Sequence, residues 1–328
     1  MKNADQKKQL VCIGGGTGIH PVIVAATAHT AAITTIVAVT DSGGSTGRLR
    51  AEFNIPAMGD LRQSITGLIG KKKNPLLEKL LEYRFKQGEG LIGHSVGNLL
   101  LTALLDLTGS MTTAVATCIE LLGLEGTVLP VSNQSAQLKI SYTDGTIALG
   151  EHHLDQAGSN PKVIASVDFV PALTATPESI AAITHATTIC IGPGDLPDSI
   201  LAVLRVDGIA QALRNTPAKI IYILNLMTSA ARTPGWTAQT HVAAIEQAIG
   251  RKIEYGIINT EDIPPAILQA YAAQNAYPVV DDCGDDTRFI RASLLSTQAY
   301  IQDPADTVKR SVLRHDSTKL AAVLEKII

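Results

Sequence analysis

The chain has 328 residues, 45% of them hydrophobic, 17% charged and only 4% aromatic, with a formal net charge of −3. That composition excludes a disordered chain and argues against an aromatic-rich β-sandwich, and the lack of a basic excess argues against wrapping a nucleic acid. No apolar run reaches the ~18 residues that span a bilayer, and the four cysteines, Cys12, Cys118, Cys190 and Cys283, stand too far apart for a zinc knuckle or a C-x-x-C redox pair.

Taken in order, Leu10–Ile13 is a short apolar run ending in Gly14-Gly15-Gly16-Thr17-Gly18. An Ala/Val-rich helix from Pro21 to about His29 and a β-branched run, Ile33–Val39, come next. A strand, a glycine turn, a helix and a strand within about 30 residues open a doubly wound sheet. Thr40–Met58 is polar and glycine-rich and reads as a long loop. Helical patterns cover Leu61–Ile69, Pro75–Phe85, His94–Leu107 and Met111–Leu122, with Lys71-Lys72-Lys73 a solvated turn between the first two. Short strands then crowd together at Gly126–Val131, Gln137–Tyr142, Thr146–Leu149 and Lys162–Phe169, and Asp144-Gly145 is a two-residue hairpin signal. From Pro177 the strand–helix alternation returns, with strands at Thr188–Ile191, Ile220–Leu224, Tyr255–Ile258 and Tyr277–Val280 and a closing helix, Ser317–Ile328. The fold class expected is α/β: a Rossmann-like, doubly wound, mostly parallel sheet with helices on both faces. It forms a single domain over residues 1–328, with a small β-rich excursion at about 128–170. The polar start, Met1–Gln9, has no secretory apolar segment, so a cytoplasmic protein without membrane insertion is expected. The Ala- and Leu-rich helices Asn98–Leu107 and Met111–Leu122 are apolar enough to predict a homodimer.

Six polar, glycine-rich segments carry the functional reading. Gly14–Gly18 lets phosphate oxygens approach backbone N–H groups at a helix start, where the dipole favours an anion. It meets the G-x-G of a dinucleotide fingerprint at Gly14 and Gly16, but Ile19 fills the third position and no Walker lysine is present. Asp41-Ser42-Gly43-Gly44-Ser45-Thr46-Gly47-Arg48-Leu49-Arg50 follows the second strand. There Arg48 and Arg50 are charge partners for a diphosphate, and Asp41 suits a ribose hydroxyl or a divalent cation. The alternative for each is a tight turn or a solvated polar loop. Gly59-Asp60-Leu61-Arg62 opens a helix that Asp60 either caps or leaves to bind a ligand. Gly93-His94-Ser95-Val96-Gly97-Asn98 opens another, with His94 either a proton donor or packing. Gly192-Pro193-Gly194-Asp195-Leu196-Pro197-Asp198-Ser199 and Asn225-Leu226-Met227-Thr228 end two further strands, and an Asn amide offers both a donor and an acceptor. Three strand ends with such clusters point to one shared crevice. His152-His153 reads as a pair of exposed loop histidines, and no H-E-x-x-H zinc motif occurs.

These six motifs, in this order over about Val11 to Ile327, resemble the gluconeogenesis factor family (YvcK-like), within the superfamily of the 2-phospho-L-lactate transferases (CofD-like). The resemblance implies a Rossmann-like fold and binding of a nucleotide-sugar, notably UDP-N-acetylglucosamine, by a regulatory protein. It also implies a role in cell shape and wall synthesis during gluconeogenic growth. The transferase branch instead takes a guanosine-linked phospholactate and a deazaflavin, with magnesium on carboxylates. Ser42 replaces the second acid of the commoner D-D-G-G pattern, leaving Asp41 and Asp60 as the acids for any magnesium. Leu313-Arg314-His315-Asp316 resembles the family's L-R-H motif, and Tyr271 lies where the family has an important tyrosine.

The expected ligand set is therefore Gly15, Gly16, Thr17, Gly18, Asp41, Gly43, Gly44, Ser45, Arg48, Asn98, Gly192, Gly194, Asn225, Tyr271 and Arg314. Catalytic candidates are Asp41, Asp60 and His94. The expected partner is a small nucleotide ligand, the diphosphate lying on Gly15–Gly18 with Arg48 and Arg314, and Asn225 reading the base or ribose.

Overall fold

The computed structural model describes residues 8–30, 32–41, 43–150, 154, 162–297 and 311–328. Strands β1 (Leu10–Gly14), β2 (Ile33–Val37), β3 (Thr127–Pro130), β7 (Thr188–Ile191), β8 (Lys219–Ile223), β9 (Tyr255–Asn259) and β10 (Phe289–Ala292) form one sheet, ordered β10-β9-β8-β7-β1-β2-β3. Every neighbouring pair in it is parallel. The central strands read as continuous apolar runs because both of their faces are covered. Along β1, Leu10 and Cys12 join one apolar cluster while Val11 and Ile13 join another, the alternation a strand imposes on its side chains. On one face lie α1 (Gly16–Ala26), α3 (Gly59–Lys73) and the closing helix α12 (Ser317–Leu324), through Ile19, Ile65 and Leu320. On the other lie α7 (Pro177–His185), α9 (Ile209–Asn215) and α10 (Ala238–Ile249), through Ile183, Leu213 and Ile245.

The chain runs from β1 to β2 and β3 on one side and later returns to β7 on the other. The strand order thus reverses between β1 and β7, and a doubly wound sheet opens a crevice beyond the carboxyl ends of its strands at such a point.

The β-rich excursion is shorter than expected. β3 pairs with β2 in the main sheet, so the excursion is the antiparallel trio β5-β4-β6, made of β4 (Gln137–Tyr142), β5 (Ile147–Leu149) and β6 (Ile164–Val170). Its hairpin turn is Asp144-Gly145, where the Asp144 carboxylate accepts from the Thr146 N–H at 2.9 Å.

Three other expectations need correction. Thr40–Met58 is not all loop: α2 (Gly44–Phe53) occupies its middle, burying Ser45, Thr46 and Leu49 and closing at Asn54 in a left-handed conformation, φ 53°. Gly43, Gly44 and Gly47 at its start mask the buried spacing from a propensity reading. Lys71–Lys73 belong to the end of α3, beyond a break at Gly70. Tyr277–Val280 is no strand. Pro278 within it has no N–H to give a ladder and makes one isolated bridge to Met227, while the edge strand is β10. His152 and His153 lie outside the described residues, as does Ser42. Among the described residues no single helix is long and apolar enough to cross a membrane. The pair α5 (Val96–Thr108) and α6 (Met111–Leu121) passes on composition only as two helices bent by 120°.

Candidate functional site

A crevice of about 990 Å³ lies where the strand order reverses. Its floor is the turn after β1. Gly15 is extended and precedes α1 without a side-chain cap, and Gly16 takes a left-handed φ of 61°. Gly43 stands in the same uncapped position before α2, with no acid in the first turn of either helix. The first N–H groups of a helix have no partner within it, so two helix starts present donors to one space. The glycines also allow close packing. A Cβ on Gly18 would lie 2.5 Å from the Pro193 carbonyl oxygen, and one on Gly15 would run into the Asp60 carboxylate.

Asp41, Gly43, Gly44 and Asp60 line the crevice beside this floor. The Asp41 Oδ1 accepts from the Gly43 N–H at 2.8 Å, which shapes the turn into α2. Asp60 does not cap α3, whose N-cap is Met58. It sits buried in the first turn against Gly15. Among the described residues no group of three or more His, Cys, Asp or Glu could hold a metal. Asp41 and Asp60 both line this part of the crevice, and one or two carboxylates would hold magnesium only with ligand phosphates and water completing its shell.

Arg314 donates from Nη1 to the Thr17 hydroxyl, which sets a guanidinium at the glycine turn. Tyr271, on α11 (Pro265–Ala272), holds the segment that carries it. The tyrosine hydroxyl accepts from the Val312 and Leu313 N–H groups at 3.0 and 3.2 Å and shares a 2.7 Å hydrogen bond with Ser311. Next in sequence, His315 is 5% exposed and lines the crevice. Burial pushes its pKa down to about 4, against a hydrogen bond to the Leu224 backbone. It is therefore a neutral imidazole near pH 7, and its Nε2 finds no partner among the described residues.

Asn225 lines the crevice, but its amide is already engaged. Nδ2 donates to the Gly194 carbonyl at 2.9 Å and Oδ1 accepts from the Gly194 N–H at 3.3 Å. It fastens the loop after β8 to the loop after β7, and its second N–H and second lone pair are the groups that would face a ligand. Gly192, at φ 71°, shapes the start of that second loop without lining the crevice.

Ser45, Arg48, His94 and Asn98 also lie outside the crevice lining. Ser45, His94 and Asn98 are buried together with Thr46 and Arg62. The Ser45 hydroxyl meets His94 Nδ1 at 3.0 Å and accepts from Asn98 Nδ2 at 3.1 Å, while Asn98 Oδ1 accepts from Arg62 Nε at 3.1 Å. Arg48 is exposed on α2 and donates to the Ile92 carbonyl at 2.6 Å. Burial, and then the Arg48 charge, lower the His94 pKa. Gly43–Gly47 and Gly93–Gly97 each spell G-x-S-x-G, yet neither is a nucleophile elbow, which exposes its hydroxyl at a sharp turn. Ser45 is enclosed in the cluster, and Ser95 caps α5 by accepting from the Asn98 N–H at 3.3 Å.

Asp198 lies in the Gly192–Ser199 motif and lines the crevice, although the motif gave it no role of its own, while Arg232, in the loop after N-L-M-T, lines the crevice without belonging to any of the six motifs. Arg232 had no local signal, because its loop is defined only by the strand before it.

A family model described as 2-phospho-L-lactate transferase CofD matches residues 10–298. The chain is 37% identical over 325 residues to the gluconeogenesis factor of Bacillus subtilis, covering 98% of this chain and 99% of that protein. It is 38% identical over 323 residues to the gluconeogenesis factor of Halalkalibacterium halodurans, covering 98% and 97%. A crystal structure of a UPF0052 family member from Bacillus halodurans superposes with a TM-score of 0.87 at 35% identity, covering 98% of this chain and 100% of that one.

Proposed function

This chain belongs to the 2-phospho-L-lactate transferase CofD family, with gluconeogenesis factors among its relatives, and on that premise we propose that it binds a nucleotide-sugar as a regulatory protein. The observation that carries the reading is Arg314 set on Thr17 at a turn where two uncapped helix starts share one crevice. Backbone N–H groups, helix dipoles and a guanidinium together suit a diphosphate. The crevice is roomy enough, at about 990 Å³, for groups on both sides of it. The choice of a UDP-sugar, UDP-N-acetylglucosamine first, and of a role in cell shape and wall synthesis under gluconeogenic growth rests on the family resemblance that the six sequence motifs carry. Calorimetry with UDP-N-acetylglucosamine, other UDP-sugars, GDP and NAD tests it. Micromolar binding of a UDP-sugar is expected, and no UDP-sugar binding down to millimolar concentration overturns it.

A second reading, a transferase of a phosphorus-containing group, draws on the two carboxylates, Asp41 and Asp60, in the same crevice. They would hold magnesium against ligand phosphates, neutralising charge as phosphoryl-type transfer requires. Transfer from a nucleotide-linked donor, abolished in both Asp41→Asn and Asp60→Asn, would favour this reading over the first.

A further inference from the structure

Arg232 and Asp198 form an ion pair on the crevice wall. Arg232 Nε donates to Asp198 Oδ2 at 2.8 Å, and Nη2 meets the same oxygen at 2.7 Å. The Asp198 side chain is 1% exposed and that of Arg232 10%. The other carboxylate oxygen, Oδ1, receives no hydrogen bond from any described residue. Asp198 sits in a single π-helical turn, Leu196–Ile200, directly after β7, a distortion that recurs at functional sites. The next residue, Ser199, has its Cβ 3.4 Å from where a Cβ on Gly15 would stand. The guanidinium is thus tied, through one residue, to the wall of the glycine turn.

A pair this buried is a poor stabiliser. Desolvation consumes most of the attraction, and an apolar replacement of similar volume is often neutral or stabilising. Its half-used carboxylate adds to that cost, since a buried acceptor without a donor is unfavourable. What the pair does supply is position: Asp198 fixes the planar fork of Arg232 before any ligand arrives, and a preorganised cation loses little freedom on binding. Arg314 comes to the same crevice from the C-terminal segment, so two arginines on separate loops line one crevice.

We propose that Arg232, positioned by Asp198, is a second phosphate-binding arginine of this crevice, and that together with Arg314 it makes the site selective for a diphosphate over a monophosphate. This rests on the anion-binding reading of the glycine turn but not on the identity of the nucleotide or sugar. The test uses the double variant Arg232→Met/Asp198→Leu and the single variant Arg232→Gln in the full chain. Inorganic pyrophosphate, orthophosphate and UDP-N-acetylglucosamine are titrated by calorimetry in the presence of magnesium, and the ligand-free proteins are melted. The double variant is expected to melt at or above the wild-type temperature and to lose at least about tenfold in pyrophosphate affinity, with orthophosphate much less affected. Unchanged pyrophosphate affinity in a folded double variant overturns the proposal, as does an equal loss for both anions. If the double variant does not fold, Arg232→Gln decides by the same ratio. Wild-type protein that binds pyrophosphate but no UDP-sugar leaves this inference standing and removes the nucleotide-sugar reading instead.

Discussion

The crevice beyond β1, β7 and β8 and the buried cluster between α2, α3 and α5 are made of the same residue types and arise from motifs that look alike in sequence. Both contain glycine turns, hydroxyls, an asparagine, an arginine and a histidine. In the cluster, Ser45, Asn98, Arg62 and His94 are hydrogen-bonded to one another and enclosed. In the crevice, Arg314, Asp41 and the two uncapped helix starts border open space. A polar group whose partners are other side chains fixes helices to one another, and a polar group that borders a cavity can meet a ligand. The cluster is thus the candidate scaffold and the crevice the candidate site, and five substitutions test that division.

The largest effect is expected from Asn98→Ala. The amide gives hydrogen bonds to Ser45 and Thr46 and takes one from the Arg62 guanidinium. At about 1 kcal/mol for each neutral bond and ~1.5–3 for a charged one, the loss is about 4 kcal/mol, measurable by urea denaturation. Ligand affinity of the folded protein should stay within about twofold. Normal stability with lost affinity would place the cluster in the site and erase the distinction.

The crevice has its own titrating group in His315. Burial lowers its pKa from 6.5 to about 4, so between those values the unfolded chain binds more protons than the folded one. Stability then rises with pH: it is full above about pH 6.5 and is lost progressively as pH falls toward 4, by about 3 kcal/mol in all. His94 and His241, whose pKa values are lowered chiefly by burial, act in the same direction. Melting from pH 7.5 to 4.5 should show the decline. His315→Asn keeps a short N–H donor for the Leu224 backbone and should flatten it. An unchanged profile in that variant would assign the decline to His94 and His241 instead.

Arg314→Ala should spare the melting temperature and weaken UDP-sugar binding by roughly 10- to 150-fold, the equivalent of the ~1.5–3 kcal/mol of charge-assisted hydrogen bonds. Tyr271→Phe removes the hydroxyl that holds Val312 and Leu313 and should reproduce part of that loss without touching the ligand. If Tyr271→Phe weakens binding as much as Arg314→Ala, the tyrosine contacts the ligand itself.

The sheet was largely legible because its buried strands, such as Thr188–Ile191, are unbroken apolar runs that only a parallel sheet buries on both faces. The glycine turn was legible for a similar reason, since Gly14–Gly18 sits between a clear strand and a clear helix. Which polar motifs reach the crevice was not legible. Asp41–Arg50 begins at the crevice and, through α2, carries Ser45 into the cluster and Arg48 to the surface within one helical turn. Nothing in sequence shows that Gly194, 31 residues from Asn225, takes one hydrogen bond at each end of its amide. Arg232 is significant only through Asp198, 34 residues earlier.

The smallest effect concerns Arg48, which sequence alone makes the natural diphosphate clamp of the Asp41–Arg50 motif. The helix that replaces the expected loop turns its side chain away from Gly43 and Gly44 and onto the Ile92 carbonyl. An exposed hydrogen bond of that kind contributes about 1 kcal/mol or less to stability. Arg48→Ala should accordingly shift urea unfolding slightly and leave UDP-sugar affinity within about twofold of wild type. It should also raise the His94 pKa, because the Arg48 charge is one of the influences holding that imidazole below its usual range, and an NMR titration of the ring reads that directly. The two measurements together separate the alternatives. A raised His94 pKa with unchanged affinity confirms Arg48 as part of the scaffold. A tenfold loss of affinity would mean that α2 turns on binding and brings Arg48 to the ligand, so that cluster and crevice act as one site.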